Sequence, residues 1–542
     1  MKFVVCFVVL VLSALPVNSR VLPVPSEYPT IRIAFLDLQS GDTVLVAPGV
    51  YVESLEAPPL DFVLRGETRI DSIATEFAII DPSDLPGSDT LKTLTLTGGT
   101  AVFEDVVFRN RGQMIANRPN SDGSGILGDS SVVSVSFYRC MFDSLIRTFS
   151  NASFIHVSKC RLIGCDGGVY SGFRRGYIKA DSTWFDGTSN LVNAQEGCQL
   201  ENCTFTHQDF GRMLIGLGDS VFVDNCRFVG VGFRYSEALL IRPRCGSQIT
   251  NCIVEDVVVA NDVVVKLRVD CAEDPISPEC AIKFENNKFV RCGSAPGSTV
   301  PCGAMIKAHC GTGSDAFIAH IEGNEFDSTM QVTDDASCIT TDAFCRIENN
   351  TFGDALTPNK PQIHFYQPFG PDTVLVRNNS FARDFYSIRH VYAGATIDAR
   401  NCWWGDPSGP YHGELNPNGL GAQVDNHVMF IPWLTVDPDS SDTTEVSLDP
   451  SDPYLPELYS LSAFPNPFNS LTQINIDVAH PNTYDVVLFD ITGRQIEKIY
   501  QGKIDSHHTL SFESHALPSG TYFLQLRAGS SAYAAAKLAL LK

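Results

Sequence analysis

Polar and apolar positions along the middle of this chain repeat as a five-residue cassette: a polar or acidic residue, Asn, then Cys or Asn, any residue, and a large apolar residue. It reads Glu201-Asn202-Cys203-Thr204-Phe205, Asp224-Asn225-Cys226-Arg227-Phe228, Thr250-Asn251-Cys252-Ile253-Val254, Glu285-Asn286-Asn287-Lys288-Phe289, Glu348-Asn349-Asn350-Thr351-Phe352 and Arg377-Asn378-Asn379-Ser380-Phe381. Looser copies end at Phe108, Phe142, Leu162, Phe185, Phe326 and Trp404, making twelve in all. From Phe108 to Trp404 is 296 residues over eleven intervals, about 27 each. That spacing exceeds one hairpin and fits one coil of a solenoid, three short strands with their turns. Intervals of 20 to 23 residues give the bare coil.

The final apolar residue and the Cys or Asn two places before it share parity, so both point to one face of an extended strand, the interior. Stacked coils then set like on like. Cys140, Cys160, Cys203, Cys226, Cys252 and Cys402 occupy one rung, alternating with Asn287, Asn324, Asn350 and Asn379. A column of buried amides at strand spacing can pass hydrogen bonds from coil to coil, and Cys fills the same column as a small apolar group. Stacking at one register is structural; ligation or nucleophilic chemistry needs His or acidic groups converging on the thiols. Any disulfides are expected among the cysteines outside this register: Cys271 and Cys280, which bracket a Pro-containing loop, Cys338 and Cys345, which lie close together, and the cluster of Cys292, Cys302 and Cys310, with the pairing left open.

Before the first cassette, Ile31, Ala34, Phe35 and Leu38 follow the i, i+3, i+4, i+7 spacing of one apolar helical face behind Pro29-Thr30. This predicts a short amphipathic helix over the open end of the solenoid. Gly41-Asp42 then marks a turn, Thr43 to Ala47 a strand, Pro48-Gly49 a second turn and Val50 to Val52 another strand. After Leu434 come Asp437-Pro438-Asp439, Asp442, Glu445, Asp449 and Asp452-Pro453, an acidic linker that reads as a solvated spacer, with Ca²⁺ binding as the alternative. Alternating strands follow at Gln473 to Val478, Tyr484 to Phe489, Gln495 to Tyr500, Thr509 to Phe512, Thr521 to Arg527 and Lys537 to Leu541, with turn signals at Thr492-Gly493 and Ser519-Gly520. They predict a small β-sandwich. At the start, Lys2, the apolar run Phe3 to Leu12, and Ser13, Ala14, Val17 and Ser19 read as a secretory signal cleaved after Ser19. The run is shorter than the roughly 20 residues a membrane span needs, and no other segment is long enough.

Tyr28-Pro29-Thr30-Ile31, followed by Gly41-Asp42-Thr43-Val44-Leu45-Val46-Ala47-Pro48-Gly49-Val50-Tyr51, resembles the N-terminal coil of bacterial right-handed parallel β-helix proteins with the pectin-lyase-like fold, and the cassettes resemble their repeats. Asn401-Cys402-Trp403-Trp404-Gly405-Asp406-Pro407-Ser408-Gly409-Pro410 resembles their closing segment, where tryptophans shield the last coil. In the tail, Phe464-Pro465-Asn466-Pro467-Phe468-Asn469, Phe489-Asp490-Ile491-Thr492-Gly493-Arg494, Leu517-Pro518-Ser519-Gly520-Thr521-Tyr522-Phe523 and Lys537-Leu538-Ala539-Leu540-Leu541-Lys542 resemble, in order, a type IX secretion sorting domain. The doubled lysine often found before the terminal run is here Ala536-Lys537. These resemblances imply an all-β chain: a right-handed parallel β-helix with a short N-terminal capping helix, then a small C-terminal β-sandwich. The expected division is signal peptide 1–19, β-helix 20–436, linker 437–457 and sorting domain 458–542. The tail implies recognition by the type IX machinery, passage across the outer membrane to the surface, and removal of the domain.

Charge narrows the partners. With 62 acidic against 39 basic residues, the net charge of -23 repels polyphosphates, which makes nucleic acid and anionic lipid poor partners unless a local basic patch overrides the field, and the sequence shows no such patch. A 44% hydrophobic composition supplies a core and excludes wholesale disorder. Pectin-lyase-like folds include polysaccharide lyases and glycoside hydrolases. An inverting hydrolase needs two carboxylates roughly 6.5 to 9.5 Å apart, and Asp334-Asp335, following His309 and His320, is the nearest candidate. The Asn-Thr-Asp, Gly-His-Gly and Arg-Ile-Lys segments of that hydrolase family do not occur. A lyase needs a base beside a uronate carboxylate; Arg242-Pro243-Arg244 superficially resembles such a motif, without recognisable calcium carboxylates beside it.

No residue is therefore assigned as catalytic, cofactor-binding or metal-ligating, and no cofactor is expected. The reading is an exported, noncatalytic surface platform for a glycan or a protein, with a polysaccharide lyase or glycoside hydrolase as the alternative. The intervals Val254 to Phe289 and Phe289 to Phe326, at 35 and 37 residues, carry extra loops, and a ligand site is sought there first.

Overall fold

The computed structural model describes residues 19–438 and 460–540, apart from connecting segments of which 111–125, 270–280 and 295–305 are the longest. The chain divides into two compact units, 1–441 and 442–542. The secretory signal and most of the acidic linker lie outside the described residues.

In the first unit each coil gives strands to three parallel sheets, A, B and C, of sixteen, thirteen and fifteen strands. One coil runs Cys198–Glu201 in A, Thr204–His207 in B and Leu214–Gly218 in C, and the next runs Val221–Asp224, Arg227–Gly230 and Leu239–Pro243. A parallel neighbour is reached only by a crossover, and the twist of L-residue strands makes that crossover right-handed. The stack is the right-handed parallel β-helix expected.

The cassette is the corner between sheets A and B. Asn202, Asn225, Asn251, Asn286, Asn349, Asn378 and Asn401 occupy it with φ between 49° and 59°, a left-handed conformation that Asn tolerates better than most residues. The next residue then points inward. In coil order that inner column reads Cys140, Cys160, Thr183, Cys203, Cys226, Cys252, Asn287, Asn324, Asn350, Asn379 and Cys402, all buried. Cysteines and asparagines thus form blocks instead of alternating, and Thr183 joins them.

Geometry explains the blocks, because an amide extends the ladder only when the next coil presents another. Asn287 Nδ2 donates to Asn324 Oδ1, Asn324 Nδ2 to Asn350 Oδ1 and Asn350 Nδ2 to Asn379 Oδ1, each at 3.0 Å. At the ends, Cys252 N–H donates to Asn287 Oδ1 at 2.9 Å and Asn379 N–H to Cys402 Sγ at 3.4 Å. Beside this ladder Phe289, Phe326, Phe352, Phe381 and Trp404 stack with ring centroids 4.9 to 5.1 Å apart.

The disulfide expectation fails for Cys292, Cys338 and Cys345, which are buried free thiols. Cys292 Sγ donates to Val254 O at 3.2 Å, at the corner that follows sheet B, and Cys338 Sγ donates to Gln362 Oε1 at 2.7 Å. Each is committed to an interior polar partner. Cys271, Cys280, Cys302 and the side chain of Cys310 lie outside the described residues.

Both ends are covered. The helix Ile31–Leu36 buries Ile31, Ala34 and Phe35, with Thr30 as its N-cap. The Glu53 carboxylate accepts from the first helical N–H groups, Ile31 at 3.0 Å and Arg32 at 2.9 Å. An unforeseen strand, Val21–Val24, precedes the helix and pairs with Thr43–Val46 to open sheet A. At the far end Trp404 is fully buried on Phe381.

The second unit holds a three-stranded and a four-stranded antiparallel sheet. Its six expected strands are present and longer than expected, among them Asn482–Asp490, Gln495–Ile504 and Gly520–Ala528. Ser460–Phe464 is a seventh, too short and too rich in small residues to stand out in the sequence. Ile474, Val486, Leu488, Leu524 and Leu538 form its core.

Candidate functional site

The three faces of the β-helix differ in charge. On the side of sheet C away from the core one register row runs Asn193, Ile215, Leu240, Lys266, Lys307, Thr340, His364 and Arg389, of which Asn193, Ile215, Thr340 and His364 are themselves buried. Alternation fixes its direction: Val265 and Leu267 are fully buried, so Lys266 between them faces out. Arg268 and His309 stand opposite each other two residues further along the strands of Lys266 and Lys307. Among the described strands of sheet C, Glu56 is the sole carboxylate. Sheet A, by contrast, carries Glu104, Asp181, Glu201, Asp224, Glu285, Glu322, Glu348 and Asp398.

Lys266, Lys307 and Arg389 are half-buried, which puts their charges near a low-dielectric wall where a matching anion is held more strongly than in open water. The Lys307 side chain has no hydrogen bond or ion pair with any described residue. Both long intervals noted in the sequence attach to this sheet. Segment 270–280 follows the strand Val265–Val269, and 295–305 comes just before Ile306–Cys310.

The structure separates most of the sequence's catalytic candidates. His309 lies on a strand of sheet C, whereas His320 lies on a strand of sheet A between Lys283 and Arg346, so the two residues belong to different sheets. Burial, with Arg346 second, pushes His320 below its ordinary pKa. Asp334, Asp335 and Arg244 lie outside the described residues. Arg242 stands in sheet C beside Leu217, in the strand next to that of Lys266. Of the linker carboxylates only Asp437 is described, and among the described residues no group of three or more His, Cys, Asp or Glu is placed to hold a metal.

Sheet A carries a hydrogen-bonded line that the sequence did not disclose. The Tyr138 hydroxyl is 3.2 Å from His156 Nδ1, and His156 Nε2 is 3.4 Å from Asp181. Burial outweighs Asp181 and holds the imidazole below its usual pKa. Neutral His156 then donates from Nε2 to Asp181 and accepts from Tyr138 at Nδ1.

The sheet C row was also missed, although its signal is present: a cation, an apolar residue and a cation or His recur as Lys266-Leu267-Arg268 and Lys307-Ala308-His309. Unequal loops between copies hide the recurrence.

Comparison with known proteins bears first on the second unit, where residues 462–539 match the family described as the secretion system C-terminal sorting domain. The C-terminal unit is a type IX sorting domain. Its presence makes the type IX machinery a partner and makes the protein a secreted or cell-surface one. No curated protein matches the chain. Among solved structures, the pectin methylesterase of Aspergillus niger is 13% identical, covering 53% of this chain and 88% of that one, with a TM-score of 0.26. The catalytic unit of a GH87 alpha-1,3-glucanase from Streptomyces thermodiastaticus is also 13% identical, covering 78% and 70% respectively, with a TM-score of 0.29. Among the described residues no helix is long and apolar enough to cross a membrane.

Proposed function

We propose that the sorting domain delivers an extracellular binding platform, and that the β-helix holds an acidic polysaccharide along the outer face of sheet C without cleaving it. The observation that carries this reading is the sorting of charge. A chain of net charge -23 gathers Lys266, Lys307 and Arg389, all half-buried, on one row of a sheet whose described strands carry Glu56 as their sole carboxylate. Lys266 and Lys307, on adjacent strands about 4.8 Å apart, with Arg389 three strands further along the row, favour a ligand that carries more than one anionic group. The rest of the surface repels anions, which concentrates their binding on this face. Holding needs cations alone, whereas hydrolysis needs a carboxylate pair.

The test is retention of the full chain on polygalacturonate, alginate and neutral dextran, with product formation followed in parallel and with and without Ca²⁺. Retention by the acidic polymers alone, weakened by salt and without products, is expected. Equal retention on dextran would remove the electrostatic reading, and release of unsaturated or reducing ends would replace the platform with a lyase or a hydrolase.

A further inference from the structure

The outer face of sheet A carries charges of both signs in an order that matches itself. On single strands a cation and a carboxylate stand two residues apart: Lys179 with Asp181, Lys283 with Glu285 and Arg346 with Glu348. Strand register puts Lys179, Lys283 and Arg346 in one column, with Gln199, Phe222, Gln248 and His320 on the strands between them, and the carboxylates in a second column parallel to it. Side chains two apart along a strand start about 7 Å from each other. The side chains of Lys179, Lys283, Glu285, Arg346 and Glu348 make no hydrogen bond or ion pair with any described residue. Elsewhere in the carboxylate column Asp181, Glu201, Asp224 and Glu322 accept from His156, Gln199, Asn251 and Asn349, so the charges left for a partner are those of Lys283 with Glu285 and Arg346 with Glu348.

We infer that this face docks a second copy of the chain, related by a twofold axis parallel to the coil axis. That rotation reverses the strand direction and keeps the coil order, so each cation column faces the partner's carboxylate column, coil by coil. Lys283 meets Glu285 of the partner subunit and Arg346 meets Glu348 of the partner subunit, each pair occurring twice. A twofold perpendicular to the coil axis would instead set cation on cation. Charge order therefore selects parallel coils, an isologous closed pair.

Size permits it. Sixteen strands at about 4.8 Å spacing make a face about 70 Å long, and four to five residues of strand make it about 14 Å wide. About 1,000 Å² per copy meets the roughly 800 Å² per partner of a stable interface. The net charge of -23 opposes association at long range, but at physiological salt it is screened beyond about 8 Å while contacting pairs are not. This inference is independent of the sheet C reading.

The test is a charge swap in the full chain, read by sedimentation velocity at low and high salt. The parent is expected to dimerise. K283E/R346E and E285K/E348K each weaken dimerisation at least tenfold, and an equimolar mixture of the two restores a dimer, because each altered column then faces its complement. The substituted side chains lie on the outer face, and unchanged circular dichroism controls for folding. A monomeric parent at low salt overturns the inference. So does a dimer indifferent to both variants, a K283E/R346E dimer tighter than the parent, or a mixture that stays monomeric.

Discussion

Replacing Asn324 by Ala tests the ladder that gives the solenoid its register. The Asn324 side chain makes four buried hydrogen bonds: Nδ2 donates to Phe284 O at 2.9 Å and to Asn350 Oδ1 at 3.0 Å, while Oδ1 accepts from Asn287 N at 2.9 Å and Asn287 Nδ2 at 3.0 Å. Asn287 Nδ2 also donates to Ile249 O, so it survives the change with one partner. The Asn287 backbone N–H does not. One stranded buried donor costs about 1 to 3 kcal/mol, and each lost net bond about 1 kcal/mol. With the other three bonds the total is about 4 to 6 kcal/mol, roughly three to four orders of magnitude in amide protection of that coil. Asn324→Cys provides the control. A sulfur in this column accepts the N–H of the preceding coil at 3.4 Å, as Cys160 does from Cys140 and Cys402 from Asn379. The cysteine variant should therefore recover at least one order of magnitude. Hydrogen exchange followed by mass spectrometry on peptides spanning 284–289, with 154–158 as reference, reads both. An alanine variant that exchanges like the parent, or a cysteine variant as fast as alanine, would refute the argument.

Acidification should loosen the last coils. Hydrogen bonds from Arg400, joined by those from Arg377 and opposed by burial, hold the Asp398 carboxyl well below the usual carboxylate range. A folded-state pKa below the unfolded one contributes stability in full above the ordinary carboxylate pKa and loses it as pH falls below that range. Asp398→Asn should accordingly lower the melting temperature at pH 7 and flatten its fall at low pH; a variant retaining the parent's acid sensitivity counts against this assignment. Burial pushes the thiols of Cys198, Cys292 and Cys402 up to about 12, so at neutral pH they carry almost no thiolate. The eleven described free cysteines should resist iodoacetamide in native buffer and alkylate in guanidinium; native labelling of Cys203 or Cys226, mapped by peptide mass, would contradict the interior column.

The solenoid was legible because one physical constraint recurs. Each coil must turn a left-handed corner and then fill an interior position, so Asn and then Cys or Asn return whenever the chain comes round, and Phe follows at the same parity. The capping helix was legible for a similar reason: Ile31, Ala34 and Phe35 are one apolar face. The order of amides and thiols in the column depends on what each coil offers its neighbour, and no single cassette contains that information. Disulfides were expected where cysteines left the cassette, yet Cys292 serves a second corner and Cys338 serves Gln362, contacts set by coil stacking. The sheet C row was illegible for the converse reason. Its members occupy equivalent rungs, but connections of unequal length separate Lys266, Lys307, His364 and Arg389 in sequence. Tyr138, His156 and Asp181 meet only because three successive coils stack in register.

The most direct test of the platform reading is titration calorimetry of an acidic oligosaccharide into the full chain and into Lys266→Glu/Lys307→Glu, repeated at two salt concentrations. The account predicts salt-sensitive binding that the double charge reversal weakens at least tenfold while leaving the melting temperature near the parent's. Binding of equal affinity in parent and variant would contradict it.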